Sequence, residues 1–426
     1  MAMFDIDVPY DRTKLHISLP EECVAGVLEG HQSEFKAEGT QEQLIEQALD
    51  NPYSSPTLEE LCRNKRDIVI ISSDHTRPVP SKVTMPILLR RIHAAAPQAR
   101  VRILVATGMH RPSTHEELVD KYGADIVANE EIVMHVATDD EAMAHIGTLP
   151  SGGSCIINRI AAQADLLLAE GFIEPHFFAG FSGSRKSVLP GIASYKTIMY
   201  NHNGQFIHDS HSRAGVLDGN KVHKDMMAAA EMAGLKFILN VVLNGNHEVI
   251  GAFAGDIHDA HEAGCDFIKK LAGVQAVPCD VAITTNGGYP LDQNIYQAVK
   301  GMTAAEATLD EGGVIISIAG CSDGHGGEGF YRNIADNDPA EFEKSCINRA
   351  KSDTLADQWT AQIFARILAH HPVILVTDLC DHNMIRAMHM TPANTVDEAI
   401  AIARDLKGAD AKFAIIPDGL GVVVSR

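Results

Sequence analysis

Residues 165–203 read DLLLAEGFIEPHFFAGFSGSRKSVLPGIASYKTIMYNHN. The opening DLLLA is a short, nearly continuous apolar run of the length a buried strand needs. From Gly171 to Asn203 the chain is broken by Gly180, Gly183, Pro190 and Gly191, and this mostly loop-like stretch carries His176, Lys186 and His202. In open parallel sheets, ligands bind outside the carboxyl ends of the strands, and polar side chains held on loops above a packed scaffold usually serve binding or chemistry. The arrangement recurs. DIVIIS at 67–72 runs into Ser73, Asp74, His75, Thr76, Arg77 and Pro78, and VRILVA at 101–106 runs into Thr107, Gly108, Met109, His110 and Arg111. The topology predicts that these three loops converge on one crevice.

Working outward, short apolar runs alternate with longer helical patterns over most of the chain, the signature of α/β architecture. Further strands are expected at 132–137, 237–243, 281–285, 313–318, 373–376 and 413–416, and helices at 81–93, 258–272, 294–309, 356–370 and 396–406. With 426 residues, the chain exceeds the size at which one core stops growing. The expected fold is α/β: two domains with largely parallel sheets flanked by helices, and an active site in the interdomain cleft. A helical pattern ending in Lys269, Lys270 and Gly273, before a strand that follows Pro278, sets the boundary. The N-terminal α/β domain would then cover 1–272 and the C-terminal α/β domain 273–409, with the tail 410–426 returning to the first.

Composition narrows the function. Apolar residues make up 45% and charged residues 21%, an ordinary globular balance. A formal net charge of −21 without a basic block argues against nucleic acid or an anionic membrane surface as partner. The start, MAMFDIDVPYDR, has neither a basic segment nor an apolar core, and no later run suggests a membrane span, so the cytoplasm is the expected location. The 8 cysteines form no C-x-x-C pair and read as mostly buried small apolar residues.

Two motifs tempt and are set aside. Residues 324–329, GHGGEG, satisfy G-x-G-x-x-G, but the following segment contains Asn337, Asp338 and Pro339 without an apolar period, so the glycines do not open a helix as a dinucleotide site requires. A flexible loop lining the cleft fits better. Residues 180–187, GFSGSRKS, come within one residue of a P-loop, with Arg185 where glycine is needed. The amides of Gly183 and Ser184 still offer a cradle for one phosphate.

Most of the 21 histidines read as ordinary. His110 and His176 differ, because each closely follows a buried strand and each is flanked by turn formers or aromatics that fix its direction; histidine is the side chain best suited to proton transfer near neutral pH. Lys186, beside Arg185, reads as a nucleophilic amine or a solvated surface lysine. His202, between Asn201 and Asn203, reads equally as a neutral imidazole ligand to a transition metal or as a turn residue.

The segments DHTRP at 74–78, ATGMHRP at 106–112, GFIEPHFFAGFSGSRKSVLPG at 171–191 and GYPLDQNIYQAVKGM at 288–302 together resemble the lactate racemase family, the nickel-pincer 2-hydroxyacid racemases and epimerases. The resemblance covers nearly the whole chain. It implies a cofactor, a pyridinium-3-thioamide-5-thiocarboxylic acid mononucleotide holding nickel, attached covalently to Lys186. It further implies His202 as the nickel ligand, His110 and His176 as paired acid/bases, and Asp74, Arg77, Gln297 and Lys300 as residues that position cofactor and substrate. Nickel and pincer come from the resemblance alone. One histidine would take the hydroxyl proton of a 2-hydroxy acid while hydride passes to the cofactor, and the second histidine would return a proton to oxygen after hydride returns to the other face. Lys300 and Arg77 would supply the cations a carboxylate needs. The implied partners are a small 2-hydroxy acid and the enzymes that make the cofactor.

Two other readings remain. One is a metal-dependent hydrolase using His110, His176 and His202 as zinc ligands, and the other a non-catalytic nucleotide-binding protein. The side chain of the substrate is not legible, and Trp359, the single tryptophan, reads as a cleft-closing or an ordinary packed aromatic.

Overall fold

The computed structural model describes residues 2–426, which divide into two compact units. The first unit comprises residues 31–201 and 211–271; the second comprises the chain up to Gly30, residues 202–210 and residues 272–426.

The first unit is built on a 6-stranded sheet in the order Val249–Gly255, Leu235–Leu243, Leu166–Phe172, Asp67–Ser73, Arg100–Ala106, Glu131–Met134. All neighbours run parallel except the antiparallel Val249–Gly255 edge. The centre of this sheet is covered on both faces. Ile68, Val69, Ile70 and Ile71 are all 0% exposed, which is why successive residues are apolar and do not alternate. Ser81–Ala95 packs its Met85, Leu88, Leu89 and Ile92 into the same core.

In the second unit another 6-stranded sheet is parallel throughout, in the order Thr391–Ala393, Val373–Val376, Val314–Ile318, Val281–Thr285, Phe413–Ile416, Val24–Val27. Its core joins Ile283, Ile316, Ile374 and Ile415 to Val8, Ile17 and Leu19 of the antiparallel hairpin Met3–Tyr10/Thr13–Pro20.

The α/β class with largely parallel sheets is thus present. The domain limits 1–272 and 273–409 need two corrections. Val24–Val27 pairs with Phe413–Ile416, so the chain up to Gly30 clusters with the second unit. That same pairing, and the Val281–Thr285 strand on the other side, hold 410–426 in the second unit, so the tail does not return to the first. The GHGGEG reading also changes. A helix does open at Glu328 and runs to Ala335. The loop serves the neighbouring helix, Ile295–Thr308, whose first N–H groups, from Ile295 and Tyr296, donate to the carbonyls of Gly324 (3.0 Å) and His325 (3.3 Å).

Candidate active site

In the first unit, three strand-to-loop junctions carry the candidate residues. Asp67–Ser73 ends in Asp74, which is buried, with 1% of its surface exposed. Its Oδ1 accepts from the Thr76 amide (3.1 Å) and the Thr76 hydroxyl (2.6 Å), and its Oδ2 lies 2.7 Å from His110 Nδ1. Burial pushes the Asp74 carboxyl up, but the bonds from His110 and Thr76, with Arg77 nearby, outweigh it and hold the carboxyl below the ordinary carboxylate value. With Nδ1–H given to the carboxylate, the nitrogen of His110 left to accept a proton is Nε2; this tautomer is assigned from the hydrogen bonding. Arg77 is exposed and Nη1 donates to the Thr76 hydroxyl (3.2 Å), leaving most of its donors to solvent or ligand.

The Arg100–Ala106 strand brings in His110 through Gly108, whose φ of +55° favours glycine and whose N–H donates to the Gly191 carbonyl (2.9 Å). That bond ties the TGMHRP loop to the SVLPG loop, one short turn from Lys186. The Leu166–Phe172 strand leads into Pro175–His176, paired with Gly180–Phe181. His176 is stacked on Phe177 (centroids 5.1 Å apart, 27°) and meets Phe178 edge-on (4.6 Å, 88°). The Ala179 amide donates to its Nδ1 (3.3 Å) and Lys186 Nζ stands 3.4 Å from its Nε2. Lys186 lies in a short 3-10 turn, Ser184–Ser187, with its ammonium 5.7 Å above the Phe178 ring. Asp74 with His110, and His176 with Lys186, are therefore brought together as pairs.

The phosphate cradle needs a correction. Ser184 is 0% exposed, its N–H donates to Asn240 Oδ1 (2.9 Å) and its hydroxyl to the Ile257 carbonyl (2.9 Å), so neither group is on offer to a phosphate. Gly183 has φ +82°, and a Cβ there would stand 2.4 Å from Asn240 Oδ1. Its glycine serves the turn.

The second unit holds the rest. His202 is buried, with the Trp359 ring 5.0 Å away at 69°. It precedes a short helix, Gly204–His208, capped by Asn203, whose Oδ1 accepts from the Phe206 amide (3.0 Å). Gln362 Nε2 donates to the Gly204 carbonyl (2.7 Å), and a Cβ on Gly204 would come within 2.1 Å of the Cys346 carbonyl oxygen, so that helix sits directly against Pro339–Asn348. Gln297 and Lys300 lie on Ile295–Thr308 at the i, i+3 spacing that shares one helix face, both half-buried. Asn286 fixes that helix, donating from Nδ2 to the Gln297 carbonyl (2.6 Å) and accepting at Oδ1 from the Gly301 amide (2.9 Å).

The sequence reading missed two buried groups. Glu170, 1% exposed within the Leu166–Phe172 strand, accepts from the hydroxyls of Ser72 (2.6 Å), Ser81 (2.6 Å) and Thr84, and so pins the loop 74–80 at both of its ends. Arg185 is the other; its place in a glycine-broken loop was its only sign. Among the described residues no group of three or more His, Cys, Asp and Glu is gathered to hold a metal ion.

A carboxylate-oriented imidazole and a second imidazole beside a lysine stand on loops that follow parallel strands of an α/β scaffold, and side chains of these kinds are suited to proton transfer. Comparison with known proteins gives the class its name. Residues 10–215 match the lactate racemase N-terminal domain and residues 274–424 the lactate racemase C-terminal domain. A lactate racemase from Lactiplantibacillus plantarum is 62% identical over 423 residues, covering 99% of this chain and 100% of that protein. Another from Thermoanaerobacterium thermosaccharolyticum is 50% identical over 423 residues, with 99% of each covered. The solved structure of the lactate racemase apoprotein from T. thermosaccharolyticum superposes with a TM-score of 0.96, covering 99% of this chain and 100% of that one. A crystal structure of a Thermotoga maritima protein, 21% identical, shares the fold with a TM-score of 0.66 over 92% of this chain and 100% of that one. The chain belongs to the lactate racemase family, and it is an isomerase of the racemase type.

Proposed function

We propose that this enzyme inverts C2 of lactate or a closely related 2-hydroxycarboxylate, working with a nickel-pincer nucleotide tethered to Lys186 and with His202 as its nickel ligand. The donor set fits that group. Lys186 offers a primary amine on a short turn whose backbone is fixed on both sides, and imidazole is a suitable ligand for nickel. When bound, the group supplies a hydride acceptor, which a weakly acidic, unactivated C2–H requires.

The chain's own residues handle protons and charge. His110 takes the substrate hydroxyl proton at Nε2, and Asp74 stabilises the imidazolium that results, the role a buried carboxylate plays in other base-orienting pairs. His176 serves the oxygen in the opposite enantiomer. Arg77, with free donors in a planar fork, and Lys300 with Gln297 hold the substrate carboxylate. Asp74 and Arg77 also border the cofactor. The observation that carries the reading is the 2.7 Å His110–Asp74 contact, which orients a base at a strand end where a small ligand would bind.

Loading requires the cofactor-synthesis enzymes as partners, which places the reaction in the cytoplasm with them. No helix among the described residues is long and apolar enough to cross a membrane. The test is a panel of enantiopure 2-hydroxy acids given to protein made alongside those enzymes, with peptide mass spectrometry of Lys186. The expected result is racemisation of lactate or a near relative and an adduct on Lys186. Zinc without adduct, or active protein with an unmodified Lys186, would contradict it.

A further inference from the structure

The loop that carries Lys186 is wrapped around a cation. Arg185 is 0% exposed, and its guanidinium donates to a ring of neutral acceptors. Nε donates to His223 Nδ1 (3.0 Å), Nη1 to the carbonyls of Ser182 (3.0 Å) and Gly183 (3.1 Å), and Nη2 to those of Ala179 (2.9 Å) and Phe181 (2.8 Å). His261 places Nε2 2.9 Å from Nη1 and 2.9 Å from the Ser182 oxygen. None of these acceptors is a carboxylate. Burial pushes Arg185 down to about 10, which leaves it charged at neutral pH, and burial together with Arg185 itself holds His223 and His261 far below the ordinary histidine value, so both rings are neutral.

The four carbonyls all come from 179–183, the segment immediately before Arg185, where they converge on one point. Buried carbonyls need donors; the two-residue ladder of Gly180–Phe181 with Pro175–His176 and the Lys186 amide serve this arc only in part, and the four N–H groups of Nη1 and Nη2 reach all four carbonyls. The turn after Arg185 is then closed by the Lys186 amide donating to the Gly183 carbonyl (3.1 Å) and the Gly191 amide donating to the Lys186 carbonyl (3.0 Å).

We propose that Arg185 is the positioning residue of the tether: its guanidinium folds 179–183 around itself before any cofactor arrives and so fixes the Lys186 amine beside His176. The second half of this proposal rests on the reading of Lys186 as tether. Lysine cannot replace Arg185, because an ammonium gathers its three donors at one point whereas the fork spreads five in a plane.

Hydrogen exchange on full-length, cofactor-free protein tests the loop without reference to the tether. In Arg185→Lys and Arg185→Met, peptides spanning 179–189 should exchange about tenfold faster, while peptides from the Asp67–Ser73 and Leu235–Leu243 strands keep wild-type rates. Incubated in extracts containing the pincer-synthesis enzymes, both variants should carry the Lys186 adduct on a much smaller fraction of molecules. In Arg185→Ala, methylguanidinium should restore adduct formation and methylammonium should not, a rescue that general loss of stability does not produce. Should these variants fail to fold, His223→Leu removes one acceptor and leaves the guanidinium, and it should loosen the same peptides to a smaller degree. Wild-type exchange over 179–189 in the folded variants, or full adduct without a guanidinium, would overturn the proposal. An unmodified Lys186 in loaded wild-type protein would remove the tether reading, while the exchange data would still decide whether Arg185 shapes the loop.

Discussion

Each candidate histidine has a partner that defines it, and variants should separate accordingly. His110→Ala and His176→Ala should keep a loaded cofactor and lose turnover by roughly 10²- to 10⁴-fold, the usual contribution of a general acid/base group. His202→Ala should lose nickel instead, read by metal analysis. Asp74→Asn should cut kcat by about 10²- to 10⁴-fold, because the amide no longer selects the tautomer that exposes Nε2. Asp74 also links stability to pH. Its folded-state carboxyl is held below the unfolded value, so its contribution is present above the unfolded pKa of about 3.9 and is lost as pH falls through the lower folded value. The Tm difference between wild type and Asp74→Asn should therefore be largest near neutrality and close on acidification; a difference that widens in acid would contradict the linkage.

Among the elements, the parallel strands were legible because burial on both faces leaves short runs without polar alternation: 281–285, 373–376 and 413–416 were read to the residue. The loops were legible as places and not as structures. Nothing in GFSGSRKS announces that Arg185 points inward, since a charged residue in a loop ordinarily faces water, and the Asn240 acceptor that takes the Ser184 amide comes from a strand 56 residues away. GHGGEG misled for a similar reason, its glycines serving a helix that precedes it in the chain. The Ile295–Thr308 helix permits a test with an unusual sign. Within a helix, Gly→Ala ordinarily stabilises by about 1 kcal/mol, but a Cβ at Gly301 would lie 2.3 Å from Asn286 Oδ1 and 2.7 Å from the Thr285 carbonyl oxygen. Gly301→Ala should instead destabilise, by about 1–3 kcal/mol in denaturant unfolding. A gain in stability would show that this helix is not clamped by Asn286.

For the whole molecule, the α/β class with largely parallel sheets was legible from the alternation of strand and helix patterns, whereas the unit boundaries were not, because sheet order is a long-range property. Residues 24–27 pair with a strand nearly at the other end of the chain, and no local signal records that partner. The proposed chemistry likewise draws on residues that the sequence spreads from Asp74 to Lys300. The central claim is that inversion proceeds by removal and return of hydride at C2, with His110 and His176 handling only the hydroxyl proton. The most direct measurement is racemisation of lactate by the loaded enzyme in D₂O, followed by proton NMR of the inverted product. The account predicts that C2 stays protiated, and that substrate deuterated at C2 keeps its label in ordinary water. Deuterium entering C2 from solvent in step with racemisation would contradict it.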